Sequence, residues 1–378
     1  MTLQDTLQEY LVTIERPNRK EKINPIIRRA TPEDVGRIIS TYLDVYEGTY
    51  PYKEMEDETS VLDMIKSDDV EFLVFESFTG AMLGCVTFVL DFKKKMGYLR
   101  GLMVAPKFRG RVNIVKATVA SLIAMYSKYD GNIFRWYSES RTAHAKSQHA
   151  ICAGSLGPIA FYPNKDVFHG KVESDLLLIS YDEKALTTRR SSKVPTFIPE
   201  VKGCFDFSNA RYYLGDHEIC SKELDLDHDE ISRLKKGLRR CLILEEFGYA
   251  KVVLSIDGSR SIFSFLYTST VQNFEKTKYK VNSPEELHVY VEEFKKCIME
   301  FGVRYAEVFA SAYKPEHQKI FKNSGFEPRG YVPSWKYNEK NRRLEDCVVF
   351  NYFEGAIDPE IQLLRECKSL VNCLGFSL

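Results

Sequence analysis

Apolar residues along this chain switch between a spacing of three to four and a spacing of two, and the switches divide it into elements. Leu3, Leu7, Tyr10, Leu11 and Ile14 recur at helical spacing, which predicts an amphipathic helix over residues 2–15, docked on its own protein or, alternatively, on a partner. "IIRRA", from Ile26, predicts a strand. "TPED" then supplies an N-cap at Thr31, Pro32 in the first turn and acids where the helix dipole favours them. Val35, Ile38, Ile39, Tyr42 and Tyr46 form the buried stripe of that helix. "EFLVFES", "LGCVTFVLDF" and "YLRGLMV" predict an antiparallel meander. The next helix places Val115, Val119, Leu122, Ile123 and Tyr126 on one face and ends at Gly131. "IFRWYSES" is a strand, followed by a short helix and paired strands that close at "SDLLLISY".

Residues 184–202 mix charge, Ser/Thr and Pro, which predicts a connector. Beyond it, "YAKVVLSIDGSRSIFSFLYTS" reads as a strand pair about the Asp257-Gly258 turn. "SPEELHVYVEEFKKCIMEFG" predicts a helix capped by Ser283, with Leu287, Val291, Phe294, Ile298 and Phe301 on one face and Gly302 at its end. "YAEVFA" and "LEDCVVFNYF" are strands, and a C-terminal helix carries Ile361, Leu364, Leu370 and Val371. Residues 147–165, "SQHAICAGSLGPIAFYPNK", align without a gap on residues 317–335, "HQKIFKNSGFEPRGYVPSW". Gln148 meets Gln318, Pro158 meets Pro328, Pro163 meets Pro333, and Phe161 meets Tyr331. The order helix, strand, helix, strand, strand occurs twice, which predicts a tandem duplication.

Composition narrows the functional classes. At 378 residues the chain exceeds one ordinary core, and 44% apolar and 13% aromatic residues supply enough surface for two. Lys plus Arg equals Asp plus Glu at 53 each, so the basic excess of a general nucleic-acid binder is missing. The nine cysteines are scattered with no Cys-x-x-Cys, which predicts free thiols in a reducing cytoplasm. His217, Cys220 and His228 lack the paired spacing of a zinc site, so no metal is expected. Neither a signal peptide nor an apolar run of the roughly 20 residues that span a bilayer is found, so no membrane partner is expected.

The first half resembles the Gcn5-related N-acetyltransferase family. "IRRATPEDVGRIISTYLDVYEGTYPY" is similar to that family's first strand and helix with the loop that borders the acceptor, and "YLRGLMVAPKFRGRVNIVKATVASLIA" to its central strand, phosphate loop and helix. The resemblance implies an α/β (α+β) fold of tandem domains, each a mixed, mainly antiparallel twisted sheet flanked by helices. The division it suggests is an N-terminal helix or extension over 1–22, an acyltransferase-like domain over 23–183 and a linker over 184–202. A degenerate second domain over 203–356 and a C-terminal helix over 357–378 complete it.

The same resemblance implies an acyl-CoA-dependent N-acyltransferase that moves acetyl from acetyl-CoA to an amine of a small molecule or peptide. The alternative is a non-catalytic module that binds an acyl-CoA or a protein partner. Coenzyme contacts are expected from Leu102, Met103 and Val104 on the central strand and from Arg109, Gly110, Arg111, Val112, Asn113 and Ile114 at the helix start. Backbone N–H groups at a helix N-terminus suit a diphosphate. The family pattern is Gln or Arg, two residues, Gly, one residue, Gly or Ala; here it reads "RGRVNI", and Val112 and Ile114 are β-branched where small residues are usual, which narrows the loop. Lys93 to Lys95 are expected nearby. His144, Glu139 and Tyr137 are the catalytic candidates, since the family's usual acid would fall on Ile151 and Phe321. The second half has no counterpart of "KFRGR", so its coenzyme site is expected to be absent.

Overall fold

The structure, a computed structural model, describes residues 22–376, so the predicted helix over 2–15 lies outside the described residues. The first half runs β1 (Ile26–Arg29), α1 (Val35–Tyr46), α2 (Glu58–Lys66), β2 (Val70–Glu76), β3 (Met82–Asp91), β4 (Met96–Val104), α3 (Ile114–Lys128), β5 (Arg135–Arg141), α4 (Ala145–Cys152), β6 (Gly157–Phe168) and β7 (Lys171–Tyr181). A connecting region holds α5 (Glu183–Leu186), β8 (Thr196–Phe197), α6 (Lys202–Tyr212), β9 (Glu218–Ile219) and α7 (His228–Lys236). The second half runs β10 (Leu238–Leu244), β11 (Tyr249–Ile256), β12 (Ile262–Thr268), β13 (Asn273–Lys280), α8 (Pro284–Glu300), β14 (Tyr305–Ser311), α9 (Pro315–Asn323), β15 (Glu327–Asn338) and β16 (Arg343–Phe353), and α10 (Arg365–Cys373) ends the described chain. Among these residues no helix is long and apolar enough to cross a membrane.

One 14-stranded sheet contains both halves, in the order β1-β2-β3-β4-β5-β7-β6-β15-β16-β14-β13-β12-β11-β10. Read outward from the β6–β15 junction, the two runs are the same list. Each half is antiparallel except at one place, β4 beside β5 and β13 beside β14, which are parallel. At the junction only Gly330 and Ala160 pair. A Cβ on Gly330 would lie 2.4 Å from the Ala160 Cβ, so glycine is what lets the two sheets touch.

The repeated words of the sequence now have a physical role. The register shifts of β6 fall at Pro158/Ala160 and Tyr162/Asp166; those of β15 fall at Pro328/Gly330 and Val332/Lys336, one repeat length on. Each pair of prolines sits where the ladder is broken and no backbone N–H is needed. The repeated glutamines are clamps. Gln148 donates to the Arg141 carbonyl at 3.2 Å and accepts from Leu364 N at 3.1 Å. Gln318 donates to the Ser311 carbonyl at 2.9 Å and accepts from Ile198 N at 3.1 Å. Both are fully buried and each holds a chain segment that crosses its half.

Helices cover the sheet unequally. In the first half, α1 and α2 pack on one face through Ile38, Tyr42, Val61 and Ile65, and α3, α4 and α10 pack on the other through Leu122, Ile151, Leu370 and Val371. In the second half α8 and α9 fill one face with Phe294, Ile298 and Phe321. Two expectations shift. The buried face of α3 is Ala117, Thr118, Val119, Ser121, Leu122 and Met125, while Ile123 is 38% exposed. Apolar residues occupy several faces of this helix, so spacing alone does not single out the buried one. The C-terminal helix begins at Arg365, and Ile361 and Leu364 lie before it. There Gln362 N donates to the Thr142 carbonyl at 2.7 Å, which holds the segment extended against the first half.

Candidate functional site

β4 leaves its neighbour midway. Its parallel pairing with β5 ends at Leu99 and Ser138, so Arg100–Val104 and Glu139–Arg141 diverge. On its other side the register with β3 shifts between Cys85 and Thr87, which creates a bulge about Gly101. Gly101 has φ +62°, and a Cβ there would meet the Tyr42 hydroxyl at 2.3 Å. Both devices free the β5-facing backbone of Leu102, Met103 and Val104. Met103 is buried under α1, and Leu102 and Val104 are half-buried.

Past Val104 the chain makes a single turn, Pro106–Phe108, and enters α3. Arg109 N, Arg111 N and Asn113 N are taken by the carbonyls of Pro106, Phe108 and Ile23. The Asn113 side chain caps Lys116 N at 3.4 Å. Among the described residues, the N–H groups of Gly110, Val112, Ile114 and Val115 find no partner. Gly110 supplies the positive φ, +77°, that turns the chain. The narrowing expected from β-branched residues does not occur. Val112 is 3% exposed, and its side chain lies in the core with Leu99 and Leu122; Ile114 leans on the same core. Apolar side chains point inward, so the outer surface of the turn is backbone, with exposed Lys107, Arg109, Arg111 and Lys116 around it. Lys93 to Lys95 are not nearby. They form the β3–β4 turn at the opposite end of β4, roughly 30 Å away for a nine-residue strand.

The strand period assigns the catalytic candidates to faces. Trp136 and Leu99 enter the α3 side, so Tyr137, Glu139, Tyr98 and Arg100 share the α1–α2 side. Tyr137 stacks on Tyr98 at 4.7 Å and meets Trp335 edge-on at 5.2 Å. Burial pushes its phenol well up, so it stays protonated. Glu139 lies 2.8 Å from the Lys165 ammonium. His144 stands apart at the exposed N-cap of α4, without a capping bond. Its pKa lies below the ordinary imidazole value, first through desolvation by the surrounding chain, with Arg141 and Lys146 adding repulsion. Ile151 and Phe321, where a phenol would be expected, are buried in the two cores. On α4, Ser147 instead accepts from Ser140 of β5 at 3.1 Å. A surface hollow of about 390 Å3 lies between α1 and the chain just past β4, lined by Arg37, Thr41, Asp44, Gly80, Ala105 and Lys107.

The sequence reading missed the residues that the second half brings to this face. Lys165 is 1% exposed and bridges Glu139 and, at 3.6 Å, Glu307 of β14. Tyr305 donates to Glu307 at 2.8 Å, yet burial dominates and pushes that carboxyl up to about 7. Asp166, bonded by Tyr52 at 2.9 Å, is pushed up to about 6, again first by burial. Tyr249 of β11 donates to Glu54 at 2.8 Å, and Thr270 to the Pro51 carbonyl at 2.9 Å. The available signal was Lys165-Asp166 within the otherwise apolar strand "GPIAFYPNKDVF".

No protein-family model and no curated protein matches the chain. Among solved structures it is similar to the spermidine N-acetyltransferase from Vibrio cholerae in complex with CoA and spermine, at 15% identity over 42% of this chain and 96% of that one, TM-score 0.36. It is also similar to the ribosomal-protein-S5-alanine acetyltransferase from Vibrio fischeri, at 13% identity over 41% of this chain and 91% of that one, TM-score 0.35. At these values the likenesses assign no activity. The fold class rests on the chain's own strand order: a mixed, mainly antiparallel α/β sheet flanked by helices, with one strand order present twice.

Proposed function

We propose that this protein is an acyl-CoA-dependent N-acyltransferase, a tandem duplication in which the first half binds the coenzyme and the second walls the acceptor side. One observation carries the reading: four unpartnered amides and four cations surround the start of α3, directly beyond the open edge of β4. A diphosphate suits such a helix start, and an extended amide chain suits a free strand edge. Gly110, Val112, Ile114 and Val115 would grip the phosphates through their N–H groups, with Arg109 and Arg111 beside them. Leu102, Met103 and Val104 would pair with the pantetheine amides.

Bound acyl-CoA supplies an acyl group on a thiolate leaving group. The acceptor enters from the opposite face, between Tyr98, Glu139 and the loop that carries Glu54. Its neutral nitrogen attacks the thioester carbonyl, the C–S bond breaks, and one amine proton leaves. An N–H at the β4 bulge offers the oxyanion a donor. Glu139, through water, or His144 accepts the amine proton, and Ser147 offers a hydroxyl to the leaving sulfur. The binding-module reading draws support from Ile151 and Phe321, which remove the usual phenol.

The test pairs melting with thiol release. Acetyl-CoA at a hundred times its Kd should stabilise the protein by about 2.7 kcal/mol. Amine-dependent release of free thiol is the expected result. Stabilisation without release from a broad amine panel establishes the module, and no stabilisation overturns both readings.

A further inference from the structure

The face where the halves meet holds more carboxyl groups than cations, and some of its polar groups are unpartnered. Glu139, Asp166, Asp175, Glu275 and Glu307 cluster about one lysine, Lys165. Arg100 lies 3.6 Å from Glu54, and Arg304 donates to the Asn164 carbonyl. Asp175 and Asp166 repel each other's charge, and burial first, then this repulsion, pushes Asp175 well up.

Glu275 differs from the rest. It is 8% exposed on β13, and among the described residues its only hydrogen bond comes from the Thr268 hydroxyl, at 3.5 Å, with Lys165 further off but near enough to feel its charge. No lysine or arginine among the described residues stands within 4.0 Å of it. A buried carboxylate without a cation is costly. Two residues earlier, Asn273 is fully buried, and neither its Oδ1 nor its Nδ2 has a partner. Phe274 between them enters the second half's core, so Asn273 and Glu275 share the face turned toward the first half. Asp175 adds a third orphan, its buried Oδ1. Unsatisfied buried amides are rare and call for a reason.

We infer that Glu275 and Asn273 receive an ammonium group, and that the acceptor is therefore a dication: an alkyl diamine or longer polyamine with one nitrogen presented to the acyl group and the other held by the second half. This deepens the acyltransfer reading and rests on it. A metal ion fits less well, since no three His, Cys, Asp or Glu side chains among the described residues are grouped to hold one. The ammonium would accept Glu275 as its counter-ion and the Asn273 carbonyl as a hydrogen-bond acceptor, leaving the reactive amine beside Glu139 and the Tyr98–Tyr137 stack. Specificity would then come from the second half, although the coenzyme is bound by the first.

The experiment compares 1,4-diaminobutane with 1-aminobutane by titration calorimetry into the full-length protein saturated with CoA. The diamine is expected to bind at least tenfold more tightly, and Glu275→Gln to erase that preference while CoA affinity is unchanged. Should Glu275→Gln fail to fold, Asn273→Ala decides, because removing an amide with no partner breaks no hydrogen bond; it is expected to weaken the diamine severalfold and leave the monoamine alone. Equal binding of the two amines, or a diamine preference that survives in the folded variant, overturns the inference. CoA is titrated separately, so loss of coenzyme binding strikes the acyltransfer reading and loss of amine discrimination strikes this one.

Discussion

The two halves begin their corresponding long helices in opposite ways. At the start of α3 there is no acid in the first turn, four N–H groups lack partners among the described residues, and four cations stand around them. At the start of α8, Glu285 and Glu286 occupy the first turn, and Pro284 has no N–H to offer. The Glu286 carboxylate accepts from Asn282 N at 2.7 Å and from the Ser259 hydroxyl at 2.6 Å. Burial opposes its charge, but these bonds prevail and hold its pKa below the usual value. The second half thus carries its own anion where the first leaves room for one. A helix start binds an external anion only when the chain has not already supplied an internal one.

The halves differ again where they cross. Lys165 closes the first repeated stretch and Trp335 closes the second. Lys165 lies between Glu139 and Glu307; Trp335 lies between Phe309, at 4.6 Å, and Tyr137, at 5.2 Å. One backbone position is therefore filled once by an ion cluster and once by an aromatic stack.

The largest expected effect tests that crossing. Lys165→Met leaves buried carboxylates unpaired and should cost about 3–5 kcal/mol in urea unfolding at pH 8. The cost should shrink at pH 5, because Glu307 and Asp166 have folded pKa values raised to about 7 and about 6. A raised carboxyl binds its proton more tightly when folded, so its contribution is full below about pH 4 and is lost as pH rises through the folded value. Trp335→Ala should cost about 2–3 kcal/mol, less than a fully buried Trp, with no such pH dependence. Equal pH profiles for the two variants would erase the contrast.

Next in size is the self-capped helix. Glu286→Ala removes a carboxylate that satisfies Asn282 N and Ser259, and should destabilise by about 1–3 kcal/mol without creating coenzyme affinity, since Pro284 still lacks a donor. Gain of acetyl-CoA binding in this variant would break the comparison. Smaller still, Arg109→Ala should leave the melting temperature of the free protein unchanged while weakening acetyl-CoA about tenfold, and the loss should diminish in high salt.

Much of this architecture could be read from residue order. The Asp257-Gly258 turn, the Ser283 cap and the strand sequence of the first half follow from local rules, because turns and caps depend on a few adjacent residues. The direction of Val112 could not be read: whether a β-branched side chain plugs a loop or enters a core depends on the sheet behind it. Glu275 and Glu307 were invisible as site residues for a related reason. The lysine that both face, Lys165, lies in the other half, and no spacing within a strand announces a contact across a junction made by one paired residue, Gly330 with Ala160.

The central claim is that one half, and not the other, holds an acyl-CoA. Titration calorimetry of acetyl-CoA into the full-length protein reads this directly as a stoichiometry. The account predicts one molecule per chain, with affinity reduced by Arg109→Ala and unchanged by Glu286→Ala. Two molecules per chain, or none, would contradict it.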